Sequence, residues 1–300
     1  MNSLTRRILE SRGPRNIVDP WRPWHFLNEP EYSRHRRLEE VSTIFLTNRE
    51  CPFHCLMCDL WKNTTTETVP PGAIPAQIDF ALERLPGTKH LKLYNSGNFF
   101  DPKAIPPADW PKIADRAGKF DTVIVENHPK FCGASCEEFQ QLCQTQLEVA
   151  LGLETAHEPT LAQLNKQMTV QDFSAACGRL LRQNILIRCF VLLKPPGTTE
   201  SEGITRALNS LRFAFDCGAS VCSVIPVRQG NGIMEQLASR QEFAPPRLSS
   251  LEHVVSEALS WGRGRVFADL WDIRQFADDP SMADEQISRL TNLNVSQRSP

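Results

Sequence analysis

The stretch Arg49-Glu50-Cys51-Pro52-Phe53-His54-Cys55-Leu56-Met57-Cys58-Asp59 sets three cysteines at C-x3-C-x2-C spacing. It follows an apolar, β-like segment, Ser42-Thr43-Ile44-Phe45-Leu46-Thr47. Three thiolates on one short loop suit three irons of a 4Fe–4S cluster, whereas an electron-transfer ferredoxin supplies four cysteines per cubane. No fourth cysteine follows at ferredoxin spacing. The fourth iron is therefore left open to a substrate or cofactor, which points to an enzyme. Two other readings stand beside this one. The first is a zinc site completed by His54 or Asp59, although zinc pairs usually come as C-x2-C repeated at a distance. The second is a set of inert buried thiols.

Outward from the loop the chain alternates short apolar runs with helix-like stretches. Strands are expected at 43–46, 90–94, 122–126, 147–151, 186–193 and 220–226, each rich in Val, Ile, Leu or Phe and ended by polar, Gly or Pro residues. Helices are expected at 75–84, 137–144, 159–165, 170–182 and 201–216, with Thr169 or Asp172 suited to start the fourth and Gly218 to stop the last. This alternation predicts βαβ units and a parallel α/β sheet. A doubly wound sheet is the alternative, but no G-x-G-x-x-G follows the first strand. In a parallel barrel the functional residues gather at the C-terminal ends of strands, where the cysteine loop falls. Beyond Arg228 the pattern fades into Gly230-Asn231-Gly232, a Pro245-Pro246 break and a helix-like 249–259. The run 265–271 then reads as an extra strand against the open edge, and residues from Asp278 onward as a polar, mobile tail.

The cysteine loop and its place after a strand resemble the radical S-adenosylmethionine (SAM) superfamily. That resemblance implies a partial (β/α)6 TIM-like barrel, here with an N-terminal extension (1–40), a core (41–228) and a small C-terminal appendage (229–300). It also implies a 4Fe–4S cluster on Cys51, Cys55 and Cys58, and SAM on the open iron. One electron then cleaves a C–S bond of SAM to give a 5′-deoxyadenosyl radical, the hard chemistry belonging to the cofactor. The residue before the third cysteine is usually aromatic in that family and is Met57 here. A polarisable thioether can still pack on an adenine face.

The SAM contacts are expected at strand ends. Asn95, Ser96 and Gly97 combine polar groups with a small residue that lets backbone approach a ligand. They occupy the place of the family's Gly-Gly-Glu-like motif, which meets the SAM amino group. Glu154 ends the fourth expected strand, and a carboxylate there suits vicinal ribose hydroxyls; the plainer reading is an acid near a helix start. Arg188 lies inside an apolar run and needs a partner, since an unpaired buried charge costs several kcal/mol. The SAM carboxylate and Glu154 are the two partners considered. Ile225-Pro226-Val227 is placed to flank adenine through Pro226, with Arg228 and Asn231 toward substrate. His128 reads as structural, and Cys132, Cys136 and Cys143 as packed thiols with no defensible cluster spacing.

Composition fits this picture. Apolar residues make up 41% and charged residues 23% of 300, with a net charge of −2, so bulk charge does not mark a nucleic-acid binder. No apolar run approaches the roughly 20 residues of a membrane span. Ten cysteines without a secretory signal indicate a reducing, cytoplasmic setting. The extension crowds Arg6, Arg7, Arg12, Arg15, Arg22, Arg34, Arg36 and Arg37 among Trp21, Trp24, Phe26 and Tyr32. Such a mixture grips RNA in some proteins, but the reading preferred here is an extension anchored to the barrel by its tryptophans.

Longer phrases are similar to one branch: Phe45 to Pro52, Lys92 to Gly97, Gly152 to Thr155 and Asp269 to Trp271. They resemble the radical SAM β-subunits of archaeosine synthase. The resemblance implies carbon–nitrogen cleavage on a lysine adduct of a 7-deazaguanine base in tRNA. It also implies a partner subunit that attaches the lysine, and a reductant such as flavodoxin or ferredoxin. The alternatives are another radical SAM reaction, such as methylthiolation or methyl transfer, and a non-catalytic Fe–S binding module.

Overall fold

The computed structural model describes residues 2–299; Met1 and Pro300, the ends of the first and last expected segments, lie outside them. The strands are β1 (His25–Tyr32), β2 (Leu38–Phe45), β3 (His90–Tyr94), β4 (Thr122–Asn127), β5 (Gln146–Glu154), β6 (Leu186–Leu193), β7 (Val221–Pro226) and β8 (Arg265–Ala268). The helices are α1 (Ser3–Glu10), α2 (Ala73–Leu82), α3 (Trp110–Ala117), α4 (Ala134–Cys143), α5 (Glu158–Gln163), α6 (Val170–Arg182), α7 (Glu200–Asp216), α8 (Ile233–Ser239), α9 (Leu248–Ser260) and α10 (Ala283–Ser296). The strands lie in sequence order in one sheet; β2 to β8 run parallel, and β1 pairs antiparallel with β2. This is an α/β half-barrel.

Each parallel strand alternates between two buried surfaces, as a sheet covered on both faces must. On β6, Ile187, Cys189, Val191 and Leu193 join the main apolar core with helix residues such as Phe173, Ala207 and Leu211. The intervening Arg188 bonds instead to Glu31 and Glu148, from β1 and β5. A β6 side chain reaching β1 requires the sheet to curl around a lumen. Arg265 of β8 completes the curl by donating to the Tyr32 carbonyl of β1 at 3.1 Å.

The sheet has two strands beyond the six expected core units. β8 falls on the run 265–271 read as an extra strand, but β1 was unforeseen. Its Asn28-Glu29-Pro30-Glu31 gives no apolar alternation, and Pro is tolerated in a strand mainly at an edge. Segments 1–40 and 229–300 thus contribute one strand each to the core sheet. The expectation of a mobile tail from Asp278 is corrected: α10 covers the end of the chain, with Leu290 and Leu293 buried. Apolar residues three apart suffice for one buried helix stripe. α3 was not among the expected helices; Pro111 lies in its first turn, where it is tolerated. No helix among the described residues is long and apolar enough to cross a membrane.

Candidate cofactor site

The cysteine loop leaves the C-terminal end of β2 and is held from three directions. From the N-terminal segment, Arg12 and Arg15 both pair with Glu50, and the Arg12 guanidinium lies 4.5 Å from the Trp61 ring. From the link between α5 and α6, Leu164 accepts the Leu56 N–H at 2.9 Å, and Asn165 Nδ2 donates to the His54 carbonyl at 2.7 Å. From the link between β7 and α8, Asn231 Nδ2 donates to the carbonyls of Leu56 at 2.6 Å and Cys58 at 3.3 Å. Loop backbone groups removed from water must find such partners. Arginines of the extension therefore anchor it together with Trp24, which lies 4.9 Å from Phe45, whereas Trp21 is exposed; Asn231, expected to face substrate, has its amide occupied by the loop.

Cys55 is buried, Cys51 and Cys58 half-buried. Burial pushes each thiol up to about 12. Asn98 Nδ2 donates to Cys51 Sγ at 3.1 Å. A Cβ on Gly97 would stand 3.2 Å from Cys51 Cβ, so a small residue is what lets the β3 loop approach the cysteine. That loop hangs on Glu126, whose Oε1 accepts the N–H of Asn95 at 2.6 Å and of Gly97 at 3.2 Å. Burial raises the Glu126 carboxyl to about 7 even with these donors. Ser96 sits at φ 52°, and the Asn95 side chain is fully buried with neither amide atom paired.

Glu154 ends β5 at φ 66°, where the register with β6 shifts. Its Oε1 accepts from Lys166 Nζ at 2.6 Å. Burial opposes the Lys166 charge, but Glu154, Cys55 and Cys51 outweigh it and hold the ammonium above the usual lysine range. The Lys166 carbonyl is 2.9 Å from His128 Nε2, and the Lys130 N–H donates to His128 Nδ1 at 3.2 Å. With both nitrogens bonded to backbone and its ring 3.8 Å from Phe53, His128 is structural. Burial, then Lys166, lower its imidazole to about 3.

The two partners considered for Arg188 are corrected. Its guanidinium bonds Glu31 at 2.6 Å and Glu148 at 2.7 Å near the start of β6, at the lumen end opposite the cysteine loop. Lys92 Nζ joins Glu31 at 2.7 Å, and Arg265 Nη2 lies 3.5 Å from Glu148. Five strands (β1, β3, β5, β6 and β8) supply these carboxylates and cations, so the arginine's charge is fully partnered without SAM or Glu154. Lys166 is the buried cation on the cysteine side. It sits one residue beyond the helix expected at 159–165, and its carboxylate partner twelve positions earlier is invisible to local pattern. Asn98 and Glu126 were likewise missed.

Met57 is half-buried in an apolar cluster with Leu56, Leu164 and Val227, and Pro226 closes β7 opposite Leu193. Arg228 pairs with Asp269 at 2.6 Å. Cys132, Cys136, Cys143, Cys177, Cys189 and Cys222 are buried free thiols, and Cys217 is half-buried.

The donor set fits a cluster better than a single ion. Among the described residues no three His, Cys, Asp or Glu side chains converge as a metal ion needs. His54 Nε2 turns to Glu50 at 3.9 Å, away from completing a zinc tetrahedron. A cubane binds each thiolate on a different iron and needs no such convergence. An amide donor on Cys51 and a buried cation near two cysteines suit anionic thiolate ligands.

No protein-family model matches the chain. It is 24% identical over 273 residues to an uncharacterized protein of Methanocaldococcus jannaschii, covering 86% of this chain and 74% of that one. It is 25% identical over 227 residues to the archaeosine synthase subunit beta of Thermococcus kodakarensis, covering 72% and 69%. Among solved structures, methylornithine synthase aligns with a TM-score of 0.58 at 13% identity, over 100% of this chain and 80% of that one. The archaeal Elp3 of Methanocaldococcus infernus gives 0.53 at 16%, over 73% of this chain and 59% of that chain. A radical SAM methyltransferase of Sphaerobacter thermophilus gives 0.55 at 12%, over 82% and 76%. These structural likenesses show the half-barrel fold.

Proposed function

We propose, from its resemblance to the radical SAM superfamily, that this chain is a radical SAM enzyme acting on a modified nucleobase. Archaeosine-synthase-like carbon–nitrogen cleavage on a lysine adduct of 7-deazaguanine in tRNA is the favoured reaction, with a second subunit supplying the adduct. The observation that carries the reading is the three-cysteine loop at the C-terminal end of the lumen, with Asn98 on Cys51 and the Lys166–Glu154 pair beside it.

Cys51, Cys55 and Cys58 would hold a 4Fe–4S cluster. With SAM bound and an electron supplied by a flavodoxin- or ferredoxin-type donor, that group furnishes a 5′-deoxyadenosyl radical for hydrogen abstraction. Asn98 orients Cys51 and favours its thiolate. Lys166 offsets negative charge gathered by the cysteines and is the cation available to a carboxylate there. Glu154 keeps Lys166 ionised in a buried setting and offers a remaining oxygen to ribose hydroxyls. Glu126 fixes the 95–97 loop by its backbone, leaving the unpaired Asn95 amide as a polar contact. Met57 and Pro226 supply apolar surface for adenine.

The test is anaerobic reconstitution with iron and sulfide, then reduction with SAM, assaying 5′-deoxyadenosine against the Cys51→Ala, Cys55→Ala, Cys58→Ala triple variant. Deoxyadenosine from the wild type alone is expected. Cluster binding without SAM cleavage, with lysine-adducted 7-deazaguanine tRNA present, would leave the non-catalytic module as the better reading.

A further inference from the structure

One set of side chains at the same end of the lumen has no part in holding the cofactors. Aromatic rings run from the rim of β8 into the barrel. Trp271 meets His25 at 5.8 Å and Phe45 at 6.5 Å, Phe45 meets Tyr94 at 6.1 Å, and Tyr94 meets Phe190 at 6.2 Å. Trp24 lies 4.9 Å from Phe45 on the other side. The row crosses the seam where the curled sheet brings β1 and β2 toward β8.

Trp271 is 54% exposed, although an indole recruited only for packing gains most by being buried. It is nevertheless clamped. Its backbone N–H donates to Asp269 Oδ1 at 3.1 Å, and its backbone carbonyl accepts from Arg228 Nη1 at 3.0 Å. With the backbone held and the ring's other side against His25 and Phe45, less ordering is needed when a base lands on the exposed face. Beside it, Asp269 Oδ2 accepts from Arg228 Nη2 at 2.6 Å, and 27% of the carboxylate side chain faces solvent. An ionised carboxylate has about four acceptor sites, so capacity remains for further donors. Burial raises Asp269 above its ordinary range despite Arg228, which means added donors would stabilise its charge. The neighbouring cation, Arg228, is committed to Asp269 and Trp271, so the corner suits a neutral ring better than a phosphate.

We propose that Trp271 and Asp269 form a recognition corner for a guanine-type base, which stacks on the indole while its N–H edge donates to the carboxylate. The proposal rests on the radical SAM reading and locates its substrate at the seam between β1, β2 and β8. Adenine-type bases lack the paired N–H donors of the guanine edge and are disfavoured there.

The experiment is equilibrium dialysis of 7-deazaguanosine against reconstituted protein with SAM and no reductant, so binding is read apart from SAM cleavage. Wild type is expected to bind it at least tenfold more tightly than 7-deazaadenosine. Trp271→Ala should weaken 7-deazaguanosine binding by about tenfold, the scale of one base–aromatic stack. Trp271→Phe should restore most of it. Asp269→Asn should narrow the preference between the two nucleosides, and Trp271→Ala, at an exposed position, should keep the wild-type melting temperature. Equal affinities in wild type and Trp271→Ala, or no binding by the wild type, would overturn the corner. Wild type that binds the nucleoside as predicted yet yields no deoxyadenosine on reduction with lysine-adducted 7-deazaguanine tRNA present supports the corner and overturns the radical reading instead.

Discussion

Lys166 and Glu154 form a buried ion pair at 2.6 Å against the backbone of Gly152, where a Cβ would stand 2.5 Å from Lys166 Nζ and 2.3 Å from Glu154 Oε1. A glycine in mid-strand usually weakens a sheet. Here it makes room for a cation beside the cysteine loop.

Removing one member of this pair leaves the other charged and unpaired. Lys166→Met is expected to lower stability by about 3–5 kcal/mol, and adding Glu154→Leu to recover much of it, since a matched apolar pair avoids the buried charge. Urea unfolding of the iron-free chain measures both. A single variant within about 0.5 kcal/mol of wild type contradicts a buried, dry pair.

The ion cluster at the opposite end of the lumen should behave as a structural plug. Arg188→Leu leaves Glu31 only Lys92 and Glu148 only the more distant Arg265, and is expected to cost about 3 kcal/mol. Burial raises Glu31, but Arg188 and Lys92 outweigh it and hold its carboxyl far below 4.5. A carboxyl depressed in the fold contributes stability that is present above its unfolded value and fades as pH falls below it. Urea midpoints should therefore fall between pH 4.5 and 2.5 in the wild type and change less in Glu31→Gln. Parallel curves for the two proteins would refute the linkage.

The loop anchors predict a local effect. Asn231→Ala leaves the Leu56 and Cys58 carbonyls without their side-chain donor. Amide exchange across residues 51–60 should quicken by about tenfold, from the roughly 1–2 kcal/mol of the lost bonds, while β3 to β6 keep their protection. Uniform acceleration over the whole sheet would instead mean global destabilisation.

These relationships also mark what was legible in the sequence. The cysteine loop was readable because its pattern is local: three cysteines fall within eight positions, after a strand whose apolar run is itself local. The parallel strands were readable for the same reason. Arg188 was not, because Glu31 lies 157 residues away and Glu148 lies 40 away, and only sheet curl and register bring them together. Its apolar neighbours announced that a partner must exist without saying at which end of the lumen. Asn98, Glu126 and Lys166 were hidden likewise, each acting through a partner on another element. β1 was obscured by its polar residues, of which Glu29 and Glu31 meet the cations of an ionic lumen instead of a hydrocarbon core.

Glu126 gives the sharpest pH test, because its shift runs opposite to that of Glu31. Burial raises its carboxyl to about 7, against an ordinary 4.5, although the amides of Asn95 and Gly97 favour its charge. Between those values the folded chain binds more protons than the unfolded one, so stability from this group falls as pH rises from 4.5 to 7 and then levels. Glu126→Gln keeps a carbonyl oxygen for the two backbone donors and removes the charge. In the iron-free chain its melting temperature relative to wild type should therefore climb from pH 5 to pH 8, by the equivalent of a few kcal/mol at the upper end. Glu31 does not interfere, since its own window lies below 4.5. A difference that stays flat across this range would mean that Glu126 ionises normally and that water reaches it. The 95–97 loop would then be supported by a solvated carboxylate and not by a buried one.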